Sequence, residues 1–151
     1  MTRRGSYCAV VAVSVLVGCQ AYRPHEGGER KIPPLASLQK QECHSASCQV
    51  DVDVGCEAGV CSAVTDPKVM LINGGHDNQI IMWTLNAPAG FDFPDDGVSF
   101  ASAEFPCVKQ SPQKFKCTNA HYANGVFVYT VKVRNIATGN SLIADPWIVN
   151  N

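Results

Sequence analysis

Eight cysteines in a chain of 151 residues constrain this protein more than any other feature of its sequence. Cysteine at that density suits an oxidising compartment, provided the chain carries an export signal, because a small domain there gains from cross-links what its modest core lacks. The rest of the composition, 46% hydrophobic and 17% charged, excludes a disordered or collagen-like chain and points to one small globular domain. A formal net charge of -1 removes the simplest electrostatic argument for a nucleic-acid partner, and none is expected.

The export signal stands at the N-terminus. Arg3 and Arg4 precede an apolar run from Tyr7 to Val17, and no acidic residue comes before Glu26. Those eleven residues would rise about 16 Å as a helix, against roughly 30 Å of bilayer hydrocarbon, so a signal-peptide h-region explains the length better than a membrane span. A twin-arginine signal is disfavoured, because Gly5 and Ser6 stand where an aromatic residue and leucine belong. The run ends in Leu16-Val17-Gly18-Cys19, which resembles the lipobox of bacterial lipoproteins.

That resemblance implies a signal peptide over residues 1–18 and a diacylated Cys19 as the first mature residue. Several acyl chains would give a stable membrane anchor, each buried methylene adding about 0.8 kcal/mol. Gln20 after the anchor, in place of Asp, resembles the pattern sorted to the outer membrane in enteric-type bacteria, with the domain facing the periplasm. Loss of Arg3 and Arg4 would take the net charge from -1 to -3, 10 basic side chains against 13 acidic.

Residues 19–42 read as a tether. Pro24, Gly27-Gly28 and Pro33-Pro34 sit among mixed charges with few large apolar residues, too little to offset the entropy of ordering the segment. Leu35, Ala36 and Leu38 offer a lesser alternative, a short helix or a contact with the domain.

From Cys43 to Asn151 the pattern is β throughout. Val50, Val52 and Val54 alternate with Asp51 and Asp53, which sets one apolar face against one solvated face. Val69–Ile72 and Ile80–Leu85 are short apolar runs separated by the turn-forming Asn73-Gly74-Gly75-His76-Asp77-Asn78. Phe91, Phe93, Val98 and Phe100 flank Pro94-Asp95-Asp96-Gly97. The clearest strand is Val126–Val133, with Phe127, Tyr129, Val131 and Val133 on one face and Val128, Thr130 and Lys132 on the other. Leu142-Ile143 and Trp147–Val149 follow, with a bend or edge at Asp145-Pro146. No ten-residue stretch has a 3.6-residue period. The expected fold is all-β: a disulfide-stabilised, immunoglobulin-like β-sandwich of about seven strands over residues 43–151, with a small open β-barrel as the alternative. Trp83 and Trp147 are the expected core anchors.

With Cys8 in the signal and Cys19 acylated, six cysteines remain: Cys43, Cys48, Cys56, Cys61, Cys107 and Cys117. Six allow three disulfides in fifteen connectivities. A hairpin centred on Pro112 would set Cys107 opposite Cys117. Among the other four, local pairs (Cys43–Cys48, Cys56–Cys61) compete with nested ones (Cys43–Cys61, Cys48–Cys56). The nested form places its turn inside Val50–Val54, a natural strand, so the local pairs are preferred. A four-thiolate zinc site is the rival reading. The C-x4-C-x7-C-x4-C spacing is wider than zinc knuckles use, and an exported chain oxidises its thiols first.

The sequence offers few marks of chemistry. His25, His44, His76 and His121 lack the close spacing that puts two imidazoles on one metal. Asp92, Asp95 and Asp96 form one acidic cluster, and Asp51, Asp53 and Glu57 another, but neither fits a calcium loop, since Ser62 stands twelfth from Asp51. There is no G-x-S-x-G, no S-x-x-K, no usable Cys–His pair and no phosphate loop. The remaining binding candidates are His76, Asp77 and His121 in turns, and a basic, partly aromatic hairpin of Lys114, Phe115 and Lys116. Edge-strand lysines that discourage aggregation explain that hairpin equally well.

The expectation is therefore a lipid-anchored, non-catalytic binding module, with no cofactor and no metal, that engages an envelope protein or restrains an enzyme or toxin. One alternative is a carrier of a small ligand or metal through His76 and His121. Another is an envelope glycan or peptidoglycan hydrolase using an acid pair such as Asp95 and Asp96.

Overall fold

The computed structural model describes residues 38–73 and 77–151. The signal segment, Cys19, the tether up to residue 37, and His76 lie outside the described residues.

Among the described residues twelve strands follow one another: β1 Lys40–Cys43, β2 Ser47–Glu57, β3 Val60–Asp66, β4 Val69–Ile72, β5 Gln79–Asn86, β6 Phe91–Asp92, β7 Val98–Phe100, β8 Cys107–Ser111, β9 Lys114–Asn119, β10 Gly125–Asn135, β11 Ser141–Ala144 and β12 Trp147–Asn150. They form two sheets. A five-stranded sheet has the order β3-β2-β5-β9-β8. A seven-stranded one runs β1-β4-β12-β10-β11, with β6 and β7 also paired to β10. Both are mixed: β2 lies parallel to β5, and β4 lies parallel to β1 and to β12. Neither closes into a barrel, so the protein is a disulfide-stabilised β-sandwich. Its first strand begins at Lys40, upstream of the boundary expected at Cys43.

Two tight hairpins explain the five-stranded sheet locally. Between β2 and β3 the chain turns at Ala58 (φ 49°) and Gly59 (φ 82°), two positive φ values that give the turn whose twist matches the flanking strands. Between β8 and β9 it turns at Pro112, as the sequence predicts. That turn is fastened from outside, because Leu85 N donates to Gln113 O (2.9 Å) and Phe93 N to Pro112 O (2.8 Å).

The disulfides are Cys43–Cys48, Cys56–Cys61 and Cys107–Cys117, the local set. The last two join residues directly opposite each other across a ladder, with Cα atoms 4.0 Å apart. Cys56–Cys61 closes an exposed hairpin end, whereas Cys117 is buried in the core.

The core lies between the sheets. Val50, Val52 and Val54 of β2 face Tyr129, Val131 and Val133 of β10, and Trp83 sits between them fully buried. Trp83 meets Tyr129 edge-on with centroids 5.4 Å apart, and its Nε1–H donates to the Tyr129 hydroxyl at 3.3 Å. Phe93 meets Phe115 similarly at 5.8 Å. Trp147, the other expected anchor, is only half-buried and sits outside this cluster, because its neighbour Ile148 takes the inward position on β12.

The long strand β10 organises the second sheet. β12 pairs with its first half (Gly125–Val128) and β11 with its second (Val131–Arg134), while Pro146 interrupts them at the expected bend. The bend stays attached through Tyr129 N, which donates to Pro146 O at 3.1 Å. On the other side β10 receives β7, and the Pro94–Gly97 turn before it demands glycine. A Cβ on Gly97 would lie 2.9 Å from Phe93 Cβ, while the Gly97 carbonyl accepts from Lys132 N at 2.7 Å.

Candidate functional site

The outward face of the seven-stranded sheet departs from apolar-in, polar-out alternation. Val126 and Val128 on β10, Val149 and Trp147 on β12, and Leu71 on β4 all occupy outward positions. The register sets Val126 opposite Val149, Val128 opposite Trp147 and Leu71 opposite Val149, so these side chains form one contiguous patch. Val126 is 53% exposed and Val128 48%; Ile143 on β11, further along the same face, is 59% exposed.

Charge frames the patch. On one edge, Lys40 and Glu42 of β1 lie opposite Val69 and Leu71. On the other, the outward side of β10 turns polar after Val128. Thr130 Oγ1 donates to Asp145 Oδ1 (3.1 Å), Lys132 pairs with Asp96, and Arg134 grips Asp92 through two bonds of 2.9 and 2.6 Å. The Arg134 hydrogen bonds hold the Asp92 carboxyl below its ordinary range, and the Lys132 hydrogen bond does the same for Asp96. The apolar centre therefore lies inside a polar rim.

Beside the patch, where β3 approaches the bend between β11 and β12, lies a groove of about 270 Å³ lined by Val64, Lys68, Ala144, Pro146 and Trp147. The indole Nε1 of Trp147 is buried and has no hydrogen-bond partner among the described residues. Such donors are rare in folded proteins.

The other candidates scatter. Asp77 is exposed in the turn before β5, and His121 is half-buried with φ 52°, its backbone N–H donating to Asn119 Oδ1 at 3.0 Å. Gln79 pairs with Asn119, so the turns that carry Asp77 and His121 leave the same end of the sheet. Lys114 and Lys116 are on the outer face of β9, on the opposite side of the sandwich from the apolar patch. Phe115 corrects the expectation of an aromatic binding hairpin: it is 1% exposed and packed in the core, since alternation turns it away from both lysines.

Among the described residues no group of three His, Cys, Asp or Glu side chains converges to hold a metal ion. Asp95 is fully exposed and 3.5 Å from Lys109, while Asp96 pairs with Lys132. A glycosidase acid needs its pKa raised, and the direction for Asp96 is the opposite.

No model of a known protein family matches the chain. Comparison with curated proteins finds no similar sequence.

The patch residues were hidden from sequence reading by their neighbours. Val126-Phe127-Val128-Tyr129 is unbroken apolar sequence, the mark of a strand covered on both faces, and only the topology reveals that one face is left open.

Proposed function

We propose that the protein is a lipid-anchored outer-membrane lipoprotein whose periplasmic β-sandwich is a non-catalytic binding module for another envelope protein. The observation that carries this reading is the apolar patch of Val126, Val128, Val149, Trp147 and Leu71, with its two β10 valines exposed and ion pairs beyond them. Its occupant is a protein surface with an aliphatic centre, whether an assembly partner or an enzyme or toxin held in check. The lipobox resemblance of Leu16-Val17-Gly18-Cys19 supports the anchor, and three disulfides suit an oxidising envelope compartment.

Two experiments test the two halves. Cys19→Ser releases the protein from the membrane fraction if the anchor is real; unchanged fractionation refutes it. A photo-crosslinker placed at Val128 yields one defined adduct with an envelope protein, and Val126→Asp abolishes that adduct while the melting temperature holds. An adduct indifferent to Val126→Asp rules out the patch as the binding surface.

A further inference from the structure

The outer face of the five-stranded sheet has a different character, and its charges are sorted by strand. On one side β2 and β3 present Asp51, Asp53 and Asp66, with Asp51 directly opposite Asp66 on the ladder. On the other side β9 presents Lys114 and Lys116. Between them the central strand β5 turns Ile80, Met82 and Thr84 outward. The register aligns the rows: Asp51, Thr84 and Lys114 lie in one, and Gln49, Met82 and Lys116 in the next.

Two features of this face are unexplained within one chain. Like charges set directly opposite each other across a ladder are destabilising, yet among the described residues Asp51, Asp53 and Asp66 have no ion-pair partner, and neither do Lys114 and Lys116. The central strand is also apolar on both sides, as in strands covered from both faces, while the fold covers only the side that holds Ile81, Trp83 and Leu85.

A second copy answers both. We infer that this face is the interface of a homodimer, related by a two-fold axis that runs between the apposed faces of the two copies, parallel to β5. A rotation about that axis exchanges the acidic and basic sides and keeps each row in place. Lys114 of each copy then faces Asp51 of the other, Lys116 lies over the same acidic side, and Met82 meets its own counterpart on the axis. This is the self-complementary arrangement a two-fold interface requires. Five strands at about 4.8 Å and six residues at about 3.4 Å give a face of roughly 24 by 20 Å. Two such faces bury on the order of 1,000 Å², the lower limit for specific association, so the dimer is weak and exchangeable. The apolar patch on the opposite sheet stays free for a different partner.

Photo-crosslinking of the full chain in the expressing cell tests this. Two differently tagged copies, each with the crosslinker at Met82, yield a product of doubled mass that carries both tags. Asp51→Lys with Asp53→Lys in both copies reduces the product about ten-fold, as does Lys114→Asp with Lys116→Asp, because like charges then face each other. Pairing one charge-reversed variant with the other restores it. These side chains face outward and form no ion pair among the described residues, so melting temperatures no lower than the wild type's separate lost association from lost folding. No doubled product, a doubled product that survives either reversal in both copies, or one formed from Val128 instead of Met82 overturns the proposal.

Discussion

Asn119 of β9 donates its side-chain amide to Asn150 of β12 at 2.9 Å, which joins the two sheets through a buried polar contact. Asn150 passes its own amide on to Glu104 Oε1 at 2.9 Å and to the Ala123 carbonyl at 3.3 Å, so one side chain satisfies two buried side chains and a loop carbonyl. Removing it strands the rest. Asn150→Ala is expected to cost about 2–4 kcal/mol, well above an ordinary surface change, in urea unfolding of the oxidised protein. A loss under 0.5 kcal/mol would mean that the network is replaced by water.

The bond between Trp83 and Tyr129 makes an alkaline prediction. Burial pushes the Tyr129 phenol well above its ordinary value of 10.0. The folded state therefore keeps it neutral while the unfolded chain ionises, and its contribution is whole below about pH 10 and falls above it. Stability measured from pH 8 to 11 should decline on the alkaline side, and Tyr129→Phe should flatten part of that decline. At neutral pH the same change leaves the Trp83 N–H unpartnered and costs about 1–2 kcal/mol.

At low pH the grip of Arg134 on Asp92 governs. The hydrogen bonds from Arg134 lower the Asp92 pKa from 3.8, so the native state favours the carboxylate. That stabilisation is present above the unfolded value and lost as pH falls through the folded one. Urea unfolding at pH 5 and pH 3 should show a smaller acid loss for Asp92→Asn than for the wild type. Equal losses would mean that other carboxylates carry the acid sensitivity.

Reduction should proceed in order of exposure. Cys56–Cys61 sits at an exposed hairpin end and is expected to open first under mild reductant, with Cys107–Cys117 protected by the buried Cys117. Paired replacement of Cys107 and Cys117 by Ala, which removes a cross-link spanning ten residues, should cost about 3 kcal/mol. Mass spectrometry of alkylated intermediates reads the order, and urea unfolding the cost.

Much of this architecture was legible because it is local. Alternation in Val50–Val54 and Val126–Val133 marked the buried faces correctly, and Pro112 midway between two cysteines marked a hairpin and its disulfide together. What escaped depends on which strands become neighbours. Nothing in Ser47–Glu57 says that it will lie parallel to Gln79–Asn86, and only that pairing lines up Asp51 with Thr84 and Lys114. The same holds for Val126 and Val128, whose outward exposure follows from pairing with β12. Phe115 and Trp147 were misjudged for a simpler reason. Each was read by residue type, where alternation with Lys114, Lys116 and Ile148 decides its face.

The twelfth strand lies in the interior of its sheet, between β4 and β10, with neither edge free. Residues 147–150 therefore act as a keystone: four residues supply rungs to a parallel neighbour on one side and to an antiparallel neighbour on the other. Cutting them away would unpair β4 and the first half of β10 together, and would remove Asn150 from the contact that ties the two layers.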